Sequence, residues 1–124
     1  MLLYFYLNRD ILRNLITWKN SADRKPLILR DARQVGKTWV MKHFGEQEYQ
    51  NVAYFNMDND SILSNIFEAN FDTNRIINEL KIYSGVKIEK NNTLIIFDEI
   101  QEVPKALSSF YQMLPSSSSN AFNV

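Results

Sequence analysis

Two short stretches of this 124-residue sequence carry residue types at spacings that do chemistry. The first, Asp31-Ala32-Arg33-Gln34-Val35-Gly36-Lys37-Thr38, follows the pattern G-x-x-x-x-G-K-[ST] at every position except its first. Each matched letter has a physical task. Gly36 lets the backbone turn close to an anion with no Cβ in the way. The amides of Ala32, Arg33, Gln34, Val35, Gly36, Lys37 and Thr38 sit where a loop becomes a helix N-terminus, whose orphan donors and dipole favour negative charge. Lys37 reaches the β- and γ-phosphates of a nucleotide as a point charge, and the Thr38 hydroxyl is a magnesium ligand. Asp31 stands where the pattern has glycine. Aspartate tolerates unusual backbone angles better than most residues. It also sets a carboxylate beside polyphosphate, harmless if it faces solvent and disabling if it faces inward.

The second stretch is Leu94-Ile95-Ile96-Phe97-Asp98-Glu99, four apolar residues ending in two carboxylates. It resembles the Walker B strand that accompanies a Walker A phosphate loop. Asp98 is then placed to hold magnesium through water, and Glu99 to orient and deprotonate the water that attacks a γ-phosphate. Simple GTPases and nucleotide kinases usually lack that second acid, so the pair points to hydrolysis of ATP. Other polar residues carry less. His43 reads as a surface or packing residue, and Asp58 and Asp60 as caps for a following helix rather than a metal pair. Arg33 lies in mid-loop and Gln101 near the acidic end, while Trp18 and Trp39 read as core rather than as a platform for bases.

The elements that must position these residues follow from apolar spacing. Ile11, Leu12, Leu15, Ile16 and Trp18 predict an amphipathic helix over 10–20. Leu27-Ile28-Leu29 is a short apolar strand, and Lys37 to Phe44 a helix that ends near Gly45. Val52 to Phe55 predicts a second strand. Ile62, Leu63, Ile66 and Phe67 predict a helix, as do Ile76, Ile77, Leu80 and Tyr83, the latter capped by Asp72 or Thr73 and closed by Gly85. Leu94 to Phe97 is the third strand, and Pro104 opens a last helix through about Met113. Strands alternating with helices predict an α/β fold with parallel pairing, and both chemical stretches then fall at carboxyl ends of strands, where such sheets bind ligands.

Composition narrows the classes. An apolar fraction of 45% argues for a packed core rather than disorder. Fourteen basic and fourteen acidic residues balance, so no global field favours nucleic acid or an anionic membrane. The sequence indicates neither a nucleic-acid nor a protein partner and leaves both open, with oligomeric state unknown. The chain has no cysteine, which excludes a disulfide framework or thiolate zinc site. The apolar start at Leu2–Leu7 lacks a basic lead-in and is short for a secretory signal, and no stretch reaches the roughly 20 apolar residues of a membrane span. A cytoplasmic location is expected. Residues 116–124, with serines from Ser116 to Ser119, read as a disordered tail behind one domain over 1–115.

Arg24-Lys25-Pro26-Leu27-Ile28-Leu29-Arg30, then Ala32 to Thr38, then Thr93-Leu94-Ile95-Ile96-Phe97-Asp98-Glu99-Ile100-Gln101-Glu102 resemble the prokaryotic AAA-type P-loop ATPases that carry a C-terminal DUF4143 domain. The resemblance covers residues 8 to about 109. It implies a three-layer P-loop NTPase-like parallel sheet, with ATP and Mg2+ bound, Lys37 and Glu99 catalytic, and Thr38 and Asp98 at the metal. In that family a further strand with a polar sensor residue follows, then more helices and the C-terminal domain. Phe110 to Val124 departs from that pattern, as a frameshifted or prematurely ended reading frame would. The expectation is a truncated chain, its sheet incomplete on the C-terminal side, with no strand between Leu27–Leu29 and Leu94–Phe97. Two alternatives to an active ATPase stay open, a non-catalytic ATP-binding remnant and a protein-interaction module.

Overall fold

The computed structural model describes residues 12–21, 27–30, 37–112 and 121–123. Helix α1 is described over residues 12–19. It is followed by β1 (Ile28–Arg30), α2 (Lys37–Glu48), β2 (Asn51–Asn56), α3 (Ser61–Ala69) and α4 (Thr73–Ser84). Then come β3 (Thr93–Asp98), a 3-10 turn at Ile100–Glu102, α5 (Pro104–Gln112) and β4 (Ala121–Asn123). The alternation is that of an α/β protein.

Strands β2 and β3 pair in parallel from Asn51 opposite Thr93 to Asn56 opposite Asp98. Because side chains alternate along a strand, this register sends Ala53, Phe55, Ile95 and Phe97 to one face, where they pack with Leu63, Ile66 and Phe67 of α3, Ile76 and Leu80 of α4, and Ala106 of α5. Phe97 stands at the centre of a ring cluster with Phe55, Phe67 and Phe110, centroids 5.4–5.7 Å away, within the range of favourable aromatic pairs. Leu94 faces the other way, into a second cluster of Leu15, Val40 and Phe44 that Leu12, Trp18, Leu27 and Tyr49 extend. Helices therefore cover both faces of the β2–β3 pair.

Local chemistry sets the helix limits. Asp60 caps α3 by accepting the Leu63 amide at 2.9 Å, and Asp72 caps α4 by accepting the amides of Asn74 and Arg75. Gly85 closes α4 at φ 68, a left-handed conformation that glycine adopts without strain. Asp58 is not a cap; its own amide is bound by Asn56 Oδ1. The expectation that α2 stops near Gly45 is corrected, since the helix runs to Glu48. Gly45 is a packing residue: a Cβ there would lie 2.6 Å from Val52 Cγ2 and 3.2 Å from Leu94 Cδ2. Its missing side chain lets α2 lie close on β2 and β3.

Where the sequence predicts one parallel sheet, the described strands form two parallel pairs, β2–β3 and β1–β4. Ile28, Leu29 and Arg30 stand opposite Ala121, Phe122 and Asn123. Within the expected tail over 116–124, Ala121–Asn123 form a strand that gives β1 a partner, while among the described strands it does not pair with β3. The physical reason is the demand of β1 for hydrogen-bond partners along its edge, which a reading of the serine run by composition does not weigh. The serine run itself lies outside the described residues.

Candidate functional site

The acidic end of β3 is the chemical centre of the described molecule. Asp98 is the last residue of the strand and is 5% exposed, the buried charged residue among the described ones. Burying a carboxylate requires donors, and three elements supply them. From the first turn of α2, the Thr38 hydroxyl donates to Oδ2 at 2.6 Å. From β2, the Tyr54 hydroxyl donates to the same Oδ2 at 2.5 Å. The Glu99 amide donates to Oδ1 at 3.0 Å. The two hydroxyl contacts have the short lengths of charge-assisted bonds.

Tyr54 is held from its other side as well. Lys42, one turn along α2 from Thr38, places its ammonium 4.0 Å from the Tyr54 ring centroid, a cation–π contact. Burial, and then the hydrogen bond to Asp98, push the Tyr54 phenol up to about 12. The shift extends the range over which the tyrosine stays a protonated donor to pH values above 10.

Glu99 leaves the strand in a left-handed conformation, φ 55 and ψ 41. For a side chain with a Cβ that conformation costs about 1–2 kcal/mol, and strain of this kind collects at functional sites. It turns the chain at once into the 3-10 turn. The Glu99 carboxylate accepts Gln101 Nε2 at 2.6 Å, so Gln101 contacts its neighbour's acid group.

Of the residues singled out in the sequence, Thr38 and Asp98 are brought together across 60 positions of chain, and Glu99 adjoins them. The loop residues Asp31, Ala32, Arg33, Gln34, Val35 and Gly36 lie outside the described residues, as does the side chain of Lys37, whose backbone opens α2. Trp18 packs on Phe44 as expected of a core residue. Trp39 does not: it is 46% exposed and stacks on His43 at 4.6 Å, because helical spacing turns position 39 away from the buried Val40 and Phe44. Among the described residues no group of three or more His, Cys, Asp or Glu could hold a metal. Magnesium asks for less, typically one or two protein groups with oxygen donors, and the Thr38 hydroxyl beside the Asp98 carboxylate could supply them, directly or through water.

Sequence reasoning missed Tyr54 and Lys42. The signal for Tyr54 lay in parity: with Asn56 opposite Asp98, Tyr54 is on the same face as the acid, two positions back.

A family model described as an AAA domain matches residues 23–122. The chain belongs to the AAA domain family. The match takes in Thr38, Tyr54, Asp98 and Glu99, and it runs into β4, past the end of the resemblance read from the sequence. An AAA domain is a nucleotide-binding, ATPase-type module, so the phosphate pattern and the acidic strand end fall in a domain of matching chemistry. No curated protein and no solved structure matches the chain significantly. Among the described residues, no helix of this AAA domain is long and apolar enough to cross a membrane.

Proposed function

We propose that this AAA domain binds ATP with Mg2+ and hydrolyses it to ADP and phosphate. The observation that carries the proposal is the 2.6 Å hydrogen bond from the Thr38 hydroxyl to Asp98. It ties the end of the phosphate pattern to the acidic end of a parallel strand, as a shared metal site requires. In this reading the amides of Ala32 to Thr38 cradle the phosphates, and Lys37 neutralises the β- and γ-phosphates. Thr38 and Asp98 hold the metal, Asp98 through water. Bound there, Mg2+ would neutralise charge on the β- and γ-phosphate oxygens. Glu99 orients the attacking water and takes its proton.

The finer placement, among AAA-type ATPases with a C-terminal DUF4143 domain, rests on the segments Arg24–Arg30, Ala32–Thr38 and Thr93–Glu102. A cysteine-free chain suits a cytoplasmic location. A second reading, nucleotide binding without turnover, is favoured by one contact: Gln101 occupies an oxygen of the Glu99 carboxylate, the group that must meet water. Asp31 in the phosphate pattern favours it too.

Labelled ATP and Mg2+ separate these readings. Retained nucleotide with release of phosphate, both lost in Lys37→Ala, is the expected result. Binding without phosphate release would select the second reading, and no binding at millimolar nucleotide would remove both. Asp31→Gly is expected to tighten nucleotide binding; an unchanged affinity would show that the Asp31 carboxylate faces away from the phosphates.

A further inference from the structure

We infer that Tyr54 is a positioning residue for divalent-metal binding: its hydroxyl, acting with that of Thr38 on Asp98 Oδ2, sets the orientation of the carboxylate that receives the metal. The inference rests on the nucleotide reading above and adds to it a residue that neither the phosphate pattern nor the acidic pair contains.

An aspartate side chain is soft at its end. The terminal torsion of a carboxylate is broad and roughly two-fold, so a metal ligand needs partners to hold one orientation. Outer partners of metal ligands supply that hold. Asp98 Oδ2 has two hydroxyl donors, Thr38 at 2.6 Å and Tyr54 at 2.5 Å. Thr38 is itself a proposed ligand, and its hydroxyl oxygen must turn a lone pair to the metal. Tyr54 has no such second task. Its hydroxyl is carried on a ring anchored in β2, one strand away from Asp98, and the ring is held by the Lys42 ammonium at 4.0 Å. Because Lys42 and Thr38 share α2, the helix that opens at the phosphate pattern and the strand that ends in Asp98 are joined through this tyrosine. A tyrosine serving only to satisfy a buried acid would hold the fold together and leave metal affinity untouched.

Tyr54→Phe keeps the ring and removes the donor. Binding of Mn2+, an EPR-visible substitute for Mg2+, is measured on the ADP-loaded chain, alongside ADP affinity in the absence of metal and a melting curve. The expected result is a fall in Mn2+ affinity on the order of tenfold, with metal-free ADP affinity unchanged. In an Asp98→Asn background the same substitution is expected to cause no further fall, because Tyr54 acts through that carboxylate. Unchanged or tighter Mn2+ binding in Tyr54→Phe would overturn the inference, even if the melting temperature drops. If Tyr54→Phe does not fold, Lys42→Met decides: loss of the cation over the ring is expected to weaken Mn2+ binding about twofold to fivefold, and no change overturns the inference. A wild-type chain that takes up neither ADP nor Mn2+ with ADP overturns the nucleotide reading, and the role of Tyr54 with it.

Discussion

Asp98 and Glu99 are neighbours with different environments, and the difference matches the separate roles proposed for them. Asp98 is buried and fixed by donors from three directions, which suits an acid that must stay ionised and still. Glu99 is half-buried and at a strained backbone position, and the general base proposed above must exchange its contact with Gln101 for one with water. Glu99→Gln is therefore expected to retain nucleotide while phosphate release falls about 100-fold or more, the scale of general-base catalysis. Equal turnover in the variant would take Glu99 out of the mechanism. Tyr54 gives a test by pH. Its folded-state phenol is raised above the ordinary value near 10 to about 12. Its protonated form thus stabilises the fold fully below pH 10, and that contribution is lost as pH rises through about 12. Denaturant midpoints taken from pH 9 upward should fall more steeply for the wild type than for Tyr54→Phe. Parallel curves would show that the phenol is not shifted by folding.

At the scale of elements, the placement of α2 on the β2–β3 pair governs the site, because α2 carries Thr38 and Lys42 and β3 carries Asp98. Gly45 lets the helix come close. Gly45→Ala would push a methyl into Val52 Cγ2, a stiff branched side chain, and against Leu94. Overpacking of this kind costs about 1–3 kcal/mol, offset by about 1 kcal/mol of helix propensity. The expected outcome is a net destabilisation of about 1 kcal/mol by chemical denaturation; a stabilised variant would mean that α2 shifts freely. Gly45 also shows where the sequence was misread. A glycine near the end of a helical pattern has the same letter whether it stops the helix or packs it, and only the neighbouring strand distinguishes the two. Asp60, Asp72 and Gly85 were legible because capping is chemistry between near neighbours in sequence. So were the apolar runs of β2 and β3. Tyr54 was not, because its partner lies on another strand and the register that joins them is a tertiary fact.

The whole molecule is organised by what each strand end needs. The β2–β3 pair has helices on both faces and carries the site at its end, while β1, which leads into the phosphate pattern, pairs with Ala121–Asn123. The composition of 116–124 concealed that strand, since three residues after a serine run give no periodicity to read. Removing residues 121–124 is expected to cost about 1–3 kcal/mol through the lost partners of β1, and to weaken nucleotide binding with it; a denaturant midpoint equal to that of the full chain would show the pairing to be dispensable. In the reading proposed above, Thr38 and Asp98 serve one magnesium ion beside a bound nucleotide. Calorimetric titration with ADP, with and without Mg2+, on the wild type and on Asp98→Asn reads this out. Mg2+ is expected to tighten ADP binding to the wild type, and Asp98→Asn to abolish this gain while still binding metal-free ADP. An equal gain from Mg2+ in both chains would contradict it.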